Sequence, residues 1–404
     1  MLKGNRDNYE KSHIQVERMV EFQGKGLVNS HGEVWMRQRK LLAQGFKSSH
    51  LTKLLPMQQD VLQELMNGFD HDVRQGPVDV HQQMVRFTLR LVGKSMFGRS
   101  MRDEELARIG ETISAIQAFI LRQIVQPWKI PWFRFSGQSE THQQLRRDGD
   151  AIALRHIRAR LKEGVGDSDF LRILLETRYH DTGEPMSEAM VLIESLQLLV
   201  AGNETSSNAL TWIFYLLARH PRYILEIRDE IAAVIGGDAI DFRNLHHLEG
   251  TMRVIDEALR LYPPFWMIDR IALHDDEING VHIPAGTMVI PYIYGTHRNP
   301  EHWQDVESFD PDRFGPERRK ARHPFAYIPF GGGPRICIGN NMAIMQMLLI
   351  VVAFVRKYDF ALTKDEAIPI QPMMLLRPGG AVAMTFRAVS STPRRNVHVV
   401  GAPA

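Results

Sequence analysis

The chain has 404 residues and a single cysteine, Cys337. One thiol excludes an intrachain disulfide and every multi-cysteine metal site, so zinc-ribbon and thioredoxin-type readings fall away. An excess of either charge is also missing. Lys and Arg number 49 against 47 Asp and Glu, a formal net charge of +2, which leaves no electrostatic footprint for nucleic acid. Long apolar runs are scarce as well. The longest, MAIMQMLLIVVAFV at residues 342–355, is interrupted by Gln346 and is too short to cross a bilayer, so it predicts a core helix. The opening, MLKGNRDNYEKSH, is polar and lacks the apolar centre of a signal peptide. A cytoplasmic protein without a membrane span is expected from the chain as it stands.

What is present is hydrophobic mass, 44% of residues, enough for a large buried core. Helical periodicity runs through most of residues 1–260. Residues 186–221 predict a long helix, with Ser187 as its N-cap and Pro221 beyond its end; it is apolar on most faces and so crosses the core. HLEGTMRVIDEALRLYPP predicts a second helix, stopped by Pro263 and Pro264. From Ile271 apolar and polar residues alternate between Asn279-Gly280 and Ala285-Gly286, which predicts a small antiparallel sheet. A proline-punctuated stretch over 299–335 follows, and structureless loops of that length are usually functional. The fold class is therefore mainly α with a smaller β-rich part. One domain covers 1–390, with its helical bulk at about 1–265 and its β-rich and cysteine-loop part at about 266–390. The pattern-free tail 391–404 is expected to be disordered.

Four features bear on chemistry. Cys337 sits in PFAYIPFGGGPRICIGNNMA, where Gly331, Gly332, Gly333 and Gly339 allow backbone to approach a flat, bulky group and to aim N–H groups at one sulfur. A helix starts just after it, and a helix N-terminus lowers a thiol pKa, so a thiolate suited to haem iron is expected. The plainer reading is an inert buried cysteine. The second feature is AGNETS, residues 201–206, poor helix formers inside the long apolar helix. Ala201 and Gly202 open space on one face, while Glu204 and Thr205 set an acid beside an alcohol. A kinked or bulged helix beside a ligand is expected, and the pair can relay protons to bound dioxygen. The alternative is a hydroxyl bonding back to the preceding turn.

The third is Glu257-Ala-Leu-Arg260, opposite charges on one helix face within an apolar run. Arg313 in FDPDRF completes a buried network there, because buried charges need partners. Glu105-Leu-Ala-Arg108 has the same spacing and is most simply a solvated pair. The fourth is a scatter of cations with a tryptophan: HGEVWMRQRK near the start, Arg270, and Arg335. Each is ordinary surface charge unless a dianionic cofactor draws them together.

These motifs together resemble the cytochrome P-450 monooxygenases. FGGGPRICIG, residues 330–339, is similar to that family's haem-binding signature, with Phe330 opening it and Cys337 in the place of the axial thiolate to haem iron. AGNETS resembles the oxygen-activating helix motif, with Ala201, Gly202, Glu204 and Thr205 in its positions. EALR and FDPDRF resemble the Glu-x-x-Arg pair and the arginine motif that follows it. The four occur in the family's order across residues 31–361. Trp35, Arg39, Arg270 and Arg335, with His31 as a further member, match the haem-propionate contacts. Phe265, Trp266, Met267, Met373 and Met374 align with substrate-contact segments, and their plainer reading is core packing. Arg335 and the wording of THRNPEHW look more like the microsomal and fatty-acid-hydroxylase branch.

The resemblance implies a cytochrome P-450 fold and a haem b (iron protoporphyrin IX) cofactor. It also implies a monomer that uses O2 and two electrons to hydroxylate or epoxidise a hydrophobic small molecule such as a fatty acid or terpenoid. No flavin, nicotinamide or iron–sulfur motif occurs, so electrons from NAD(P)H must arrive through a separate ferredoxin or flavoprotein reductase. Arg318, Arg319, Lys320 and Arg322 are candidates for its docking. Two other classes stay open: a haem-thiolate peroxide isomerase, dehydratase or peroxygenase, and a truncated, non-catalytic haem-binding protein. Trp35 lies unusually early for this family. The chain is therefore expected to be N-terminally short, by truncation or a misplaced start, with any membrane anchor in the missing part. The sheet near residues 281–294 should then expose an unpaired, apolar edge.

Overall fold

The computed structural model describes residues 1–98, 100–164, 169–237 and 240–389. The tail 391–404, expected to be disordered, lies outside the described residues. The chain is mainly helical, with small antiparallel sheets toward its C-terminal part.

The long helix, Glu188–Arg219, starts where its cap predicts: Ser187 Oγ accepts from Met190 N–H at 3.3 Å. Pro221 does more than follow its end, because it opens the next helix, Pro221–Val234, at a position where no N–H is needed. Helix Val80–Phe97 lies along the long helix. Gly202 permits their closeness, since a Cβ there would meet Val92 at 3.0 Å. Helix Asn340–Lys357 is the one described helix long and apolar enough to cross a membrane, and most of it is buried inside the protein. Phe354 on it joins Phe69, Phe87, Phe214 and Phe386 in an edge-on and tilted aromatic cluster at the centre of the core.

Strand Tyr9–Glu10 pairs with Arg270–Ala272, which pairs in turn with Met288–Val289. Asn279 and Gly280 both take positive φ, 51° and 79°, and close the hairpin Asp276–Ile278/Val281–Ile283 as their sequence predicts. Val281, Met288, Ile290 and Tyr292 are exposed, so this part of the chain presents apolar surface, while Tyr9–Glu10 covers one side of strand Arg270–Ala272. Strand Ala383–Ala388 lies between Tyr358–Leu362 and Val78–Asp79. A separate hairpin, Ile370–Pro372/Leu376–Pro378, lies against the long helix.

Candidate functional site

The cysteine loop is folded by its glycines. Gly331 and Gly333 take φ of 75° and 68°, which a side chain disfavours, and a Cβ on Gly333 would strike the Leu2 carbonyl. Cys337 N–H donates to Phe330 O at 2.9 Å, and Phe330 packs on the main core. Helix Asn340–Lys357 begins immediately beyond Gly339. The Cys337 side chain is open to solvent, yet protein surrounds it closely enough that burial pushes its thiol pKa up. The Gly339 N–H and the Arg39 guanidinium pull the other way without prevailing. In the protein alone one peptide N–H and one cation do not offset the desolvation of this thiol.

Behind the loop lies the predicted charge network, and it closes. Glu257 and Arg260 are fully buried and pair bidentately, with Arg260 Nε and Nη2 donating to the carboxylate at 2.7 and 2.8 Å. Arg260 also donates to the carbonyls of His297 at 3.0 Å, Val306 at 2.7 Å and Ser308 at 3.1 Å. Arg313 Nε lies 3.4 Å from Glu257, and its Nη2 donates to Asp305 O at 2.8 Å. Burial pushes the His297 pKa down to about 3, so the ring is neutral: Nδ1–H faces Arg260 O at 3.3 Å, and Nε2 accepts from Ile328 N–H at 2.9 Å. The helix is thereby tied to the strand of chain that leads directly into the cysteine loop.

The scattered cations converge. Arg335 stacks on Trp35 with its guanidinium 4.0 Å from the ring and donates to Ser30 O at 2.8 Å. Burial, then the Arg270 charge, hold its pKa down at about 10, with Arg39 acting in the same direction and Glu10 opposing. Arg270 is buried, and its one hydrogen-bond acceptor is the Asp269 carbonyl at 2.7 Å. Lys11 completes the group: it donates to Val28 O, and burial followed by Arg335 and Arg270 pushes its pKa down to about 7. Among the described residues no carboxylate lies within ion-pair distance of Lys11, Arg39, Arg270 or Arg335. His31 stands apart, exposed, with Nδ1 3.8 Å from Glu10.

On the long helix Ala201 is the one exposed position between Val191 and Leu217, so a buried helix bares its surface at AGNETS and nowhere else along that stretch. The expected kink or bulge is absent: the helix runs unbroken through these residues. Thr205 Oγ1 donates to Ala201 O at 2.6 Å, and Ser207, Asn208 and Thr211 bond back to the preceding turn in the same way, which keeps poor helix formers helical. Gly202 does not open the bared face; it faces Val92 instead. Glu204 pairs with Arg377 of the hairpin. The pocket candidates come together, with Trp266 Nε1 donating to Met373 O at 2.9 Å, while Phe265 and Met267 are exposed. Met374 packs on a second apolar cluster built around Phe22, Ile116 and Phe119.

Two residues of this region had no signal in the sequence. Lys11 and Arg377 belong to no motif, and only the tertiary fold brings them to Arg335 and Glu204. A mostly apolar cleft between helices His13–Gln23, Asp103–Val125, Gln138–Glu163 and the long helix was equally hidden; its lining includes Phe22, Ile113, Ile116, Leu196 and Val200, the residue before Ala201, together with Arg146 and Asp150. Two surface expectations also change. Glu105 is buried and pairs with Arg155 and His156, both at 3.1 Å, rather than with Arg108. Most of the basic run is engaged within the fold: Arg318 pairs with Asp310, Arg319 with Asp256, and Arg322 stacks on Trp303 and Phe314.

With the cysteine loop, the closed network and the gathered cations in place, the family follows. Residues 5–384 match the cytochrome P-450 family, and the chain belongs to it. It is thus a haem-thiolate monooxygenase by class. It is 30% identical over 95% of its length to "Cytochrome P-450 734A5" of Oryza sativa subsp. japonica, covering 74% of that protein. It is 29% identical to cyclooctatin synthase of Streptomyces melanosporofaciens, over 90% of this chain and 79% of that one. The solved cytochrome P-450DA heme domain superposes with a TM-score of 0.86 at 25% identity, covering 96% of this chain and 85% of that chain. The family implies haem and dioxygen. The site fits such a group in its donor set, an accessible thiol and cations that have no carboxylate within ion-pair distance among the described residues; of the loop glycines Gly331 faces open space, while Gly332 and Gly333 are packed against Phe325 and Leu2.

Proposed function

We propose that the chain inserts one atom of O2 into a hydrophobic organic substrate, a lipid such as a fatty acid or terpenoid, by hydroxylation or epoxidation. Electrons come from NAD(P)H through a separate ferredoxin or flavoprotein reductase. The observation that supports this best is the bared face of the long helix, which presents Glu204 and Thr205 where the core should be closed.

In this scheme Cys337 Sγ would ligate the iron of haem b, and Lys11, Arg39, Arg270 and Arg335 would hold its carboxylates, with Trp35 bracing Arg335. Haem supplies the activation of dioxygen. The Gly339 N–H tempers the basicity of the sulfur. Thr205 donates its proton to the Ala201 carbonyl, so its oxygen is left to accept from solvent and to fix a proton donor in the cavity. Glu204 connects that position toward the surface. Phe265, Trp266, Met267, Met373 and Met374 are the residues assigned to contact the apolar substrate, and the separate cleft that ends at Val200 reaches the long helix next to Ala201.

One feature favours a second reading. Because the Thr205 hydroxyl is held by the helix backbone, a peroxide isomerase needing no external electrons has the same geometry. Thr205→Ala separates the two. Monooxygenation predicts intact haem content, the red-shifted reduced carbon monoxide band, and more reducing equivalents lost as hydrogen peroxide. Cys337→Ser must lose that band altogether. Unchanged peroxide yield in Thr205→Ala, or a retained band in Cys337→Ser, overturns the proposal.

A further inference from the structure

Glu204 has a cationic partner that no motif assigns. Arg377 stands on the second strand of the hairpin Ile370–Pro372/Leu376–Pro378, and its guanidinium meets the Glu204 carboxylate. The pair grades from outside to inside: the Arg377 side chain is 34% exposed and that of Glu204 is 15% exposed. Beyond Glu204 comes Thr205, half-buried beside the bared Ala201. The same hairpin bears Met373, which accepts from Trp266 Nε1, and Leu376, whose N–H donates to Pro264 O at 2.8 Å. The segment assigned to the substrate and the cation that holds the acid therefore share one rigid ladder.

The remaining ionisable groups on this side are few. His81 feels the Arg377 charge; burial first, and then that charge, lower its pKa, and Asp79 opposes. Its Nδ1 lies 3.2 Å from Thr211 Oγ1, so it is engaged with the long helix one turn and more beyond Glu204. From helix Val80–Phe97 the neighbour is uncharged: Thr88 bonds the Asn203 side chain at 2.7 Å. Arg377 is thus the one described cation paired with Glu204.

We propose that Arg377 is a positioning residue for proton delivery, holding Glu204 as a carboxylate at the solvent end of the route to Thr205 and setting the pH at which that route works. The inference rests on the roles given to Glu204 and Thr205 above. Arg377 itself exchanges no proton, because a guanidinium stays charged over the working range. Its effect is electrostatic. An opposite charge at contact favours ionised Glu204, so its removal raises the pH at which Glu204 takes up a proton. The hairpin also ties this pairing to Trp266, so a ligand that moves the Pro264–Trp266 segment moves the cation as well.

The test needs no identified substrate. The full-length haem-loaded protein is reduced in air by an NADPH–reductase pair shown to reduce its iron, and the fraction of electrons recovered as hydrogen peroxide, less that made by the reductase pair alone, is followed against pH. In Arg377→Gln the midpoint of that profile should move up by about one pH unit. Arg377→Lys should keep it near the starting value, and Glu204→Gln should abolish it whether or not Arg377 is also replaced. Thermal midpoints of the ferric proteins give a second cycle that does not depend on turnover: Arg377→Gln should destabilise the parent and should not further destabilise Glu204→Gln. An unmoved midpoint in Arg377→Gln, with Glu204→Gln still effective, overturns the role of Arg377 alone. An unchanged profile in Glu204→Gln overturns the reading of Glu204 beneath it. Equal effects of Arg377→Gln in both backgrounds make Arg377 merely structural and also sink the proposal.

Discussion

Around Glu257 every buried charge is answered, by a carboxylate, a guanidinium or a ring of carbonyls; around Arg335 four cations gather, and among the described residues none has a carboxylate within ion-pair distance, Asp269 and Glu10 acting from further off. The two clusters belong to one domain and differ in what completes them. The first is complete in the folded chain alone, so its charges are structural and fasten the approach to the cysteine loop. In the second, burial first and then mutual repulsion lower the pKa of Lys11 and of Arg335. Distinguishing the two needs geometry, because arginines at a helix face and arginines at a ligand look alike in a sequence.

Glu257→Gln is the strongest way to break this comparison. It leaves Arg260 buried with no anion and weakens the hold on Arg313, so a loss on the order of 3–5 kcal/mol is expected. The measurable outcome is a sharply lowered thermal midpoint and little haem retained per chain, although no residue at the haem has been touched. Glu257→Gln that unfolds no more readily than a surface substitution would show that the network is not closed after all.

Arg270→Gln sharpens it from the other side. Removal of one member of an unanswered cluster relieves repulsion on Arg335 and Lys11, so the haem-extracted protein should be unchanged or more stable by up to about 1 kcal/mol. The haem-loaded protein should respond oppositely, with haem held about tenfold more weakly, because one charge-assisted contact is gone. Competition for haem by an apomyoglobin acceptor measures the second, and thermal melts of the extracted chain measure the first. Opposite signs are the point; a variant that loses stability in both states would place Arg270 with Arg260, as a structural charge.

How much of this was legible depended on distance along the chain. The cysteine loop could be read because its demands are local: positive φ at Gly331 and Gly333, and a helix starting beyond Gly339. Glu257 and Arg260 were local as well, one helical turn apart, and the caps and turns at Ser187 and Asn279-Gly280 followed from side-chain chemistry. AGNETS was misjudged in one respect. Residues that compete with the backbone suggest a kink or bulge, but Thr205, Ser207, Asn208 and Thr211 turn their hydrogen bonds back along the helix, the alternative weighed for Thr205. Gly202 was read as space for a ligand when its space is taken by Val92 of another helix, and no single-sequence pattern distinguishes the two. Glu105 was called solvated on spacing alone, whereas its partners come from a different helix. Lys11 and Arg377 were silent for the same reason, since each meets its neighbours across the length of the chain.

The finest test of the open cluster, read as a slope against pH, concerns Lys11. Its folded pKa is about 7 against an ordinary value of 10.5, held down by burial and by the neighbouring Arg335 and Arg270. An unfolded chain releases that lysine to its ordinary value, so between about pH 7 and 10.5 the unfolded state binds more protons than the folded one. Stability of the haem-extracted protein should therefore rise with pH across this window, and below it the penalty should be constant. Lys11→Met removes the titrating group and should flatten that slope while raising stability at the acid end, a change of a few degrees in thermal midpoint at most. Haem reverses the logic. An anion placed among the four cations lets Lys11 regain its proton, so haem binding near pH 8.5 should take up a proton in the parent and not in Lys11→Met. Calorimetry of haem binding in buffers of different ionisation enthalpy reads that proton directly. Equal proton uptake in the two proteins would mean that Lys11 stands outside the anion site, leaving Arg39, Arg270 and Arg335 to define it.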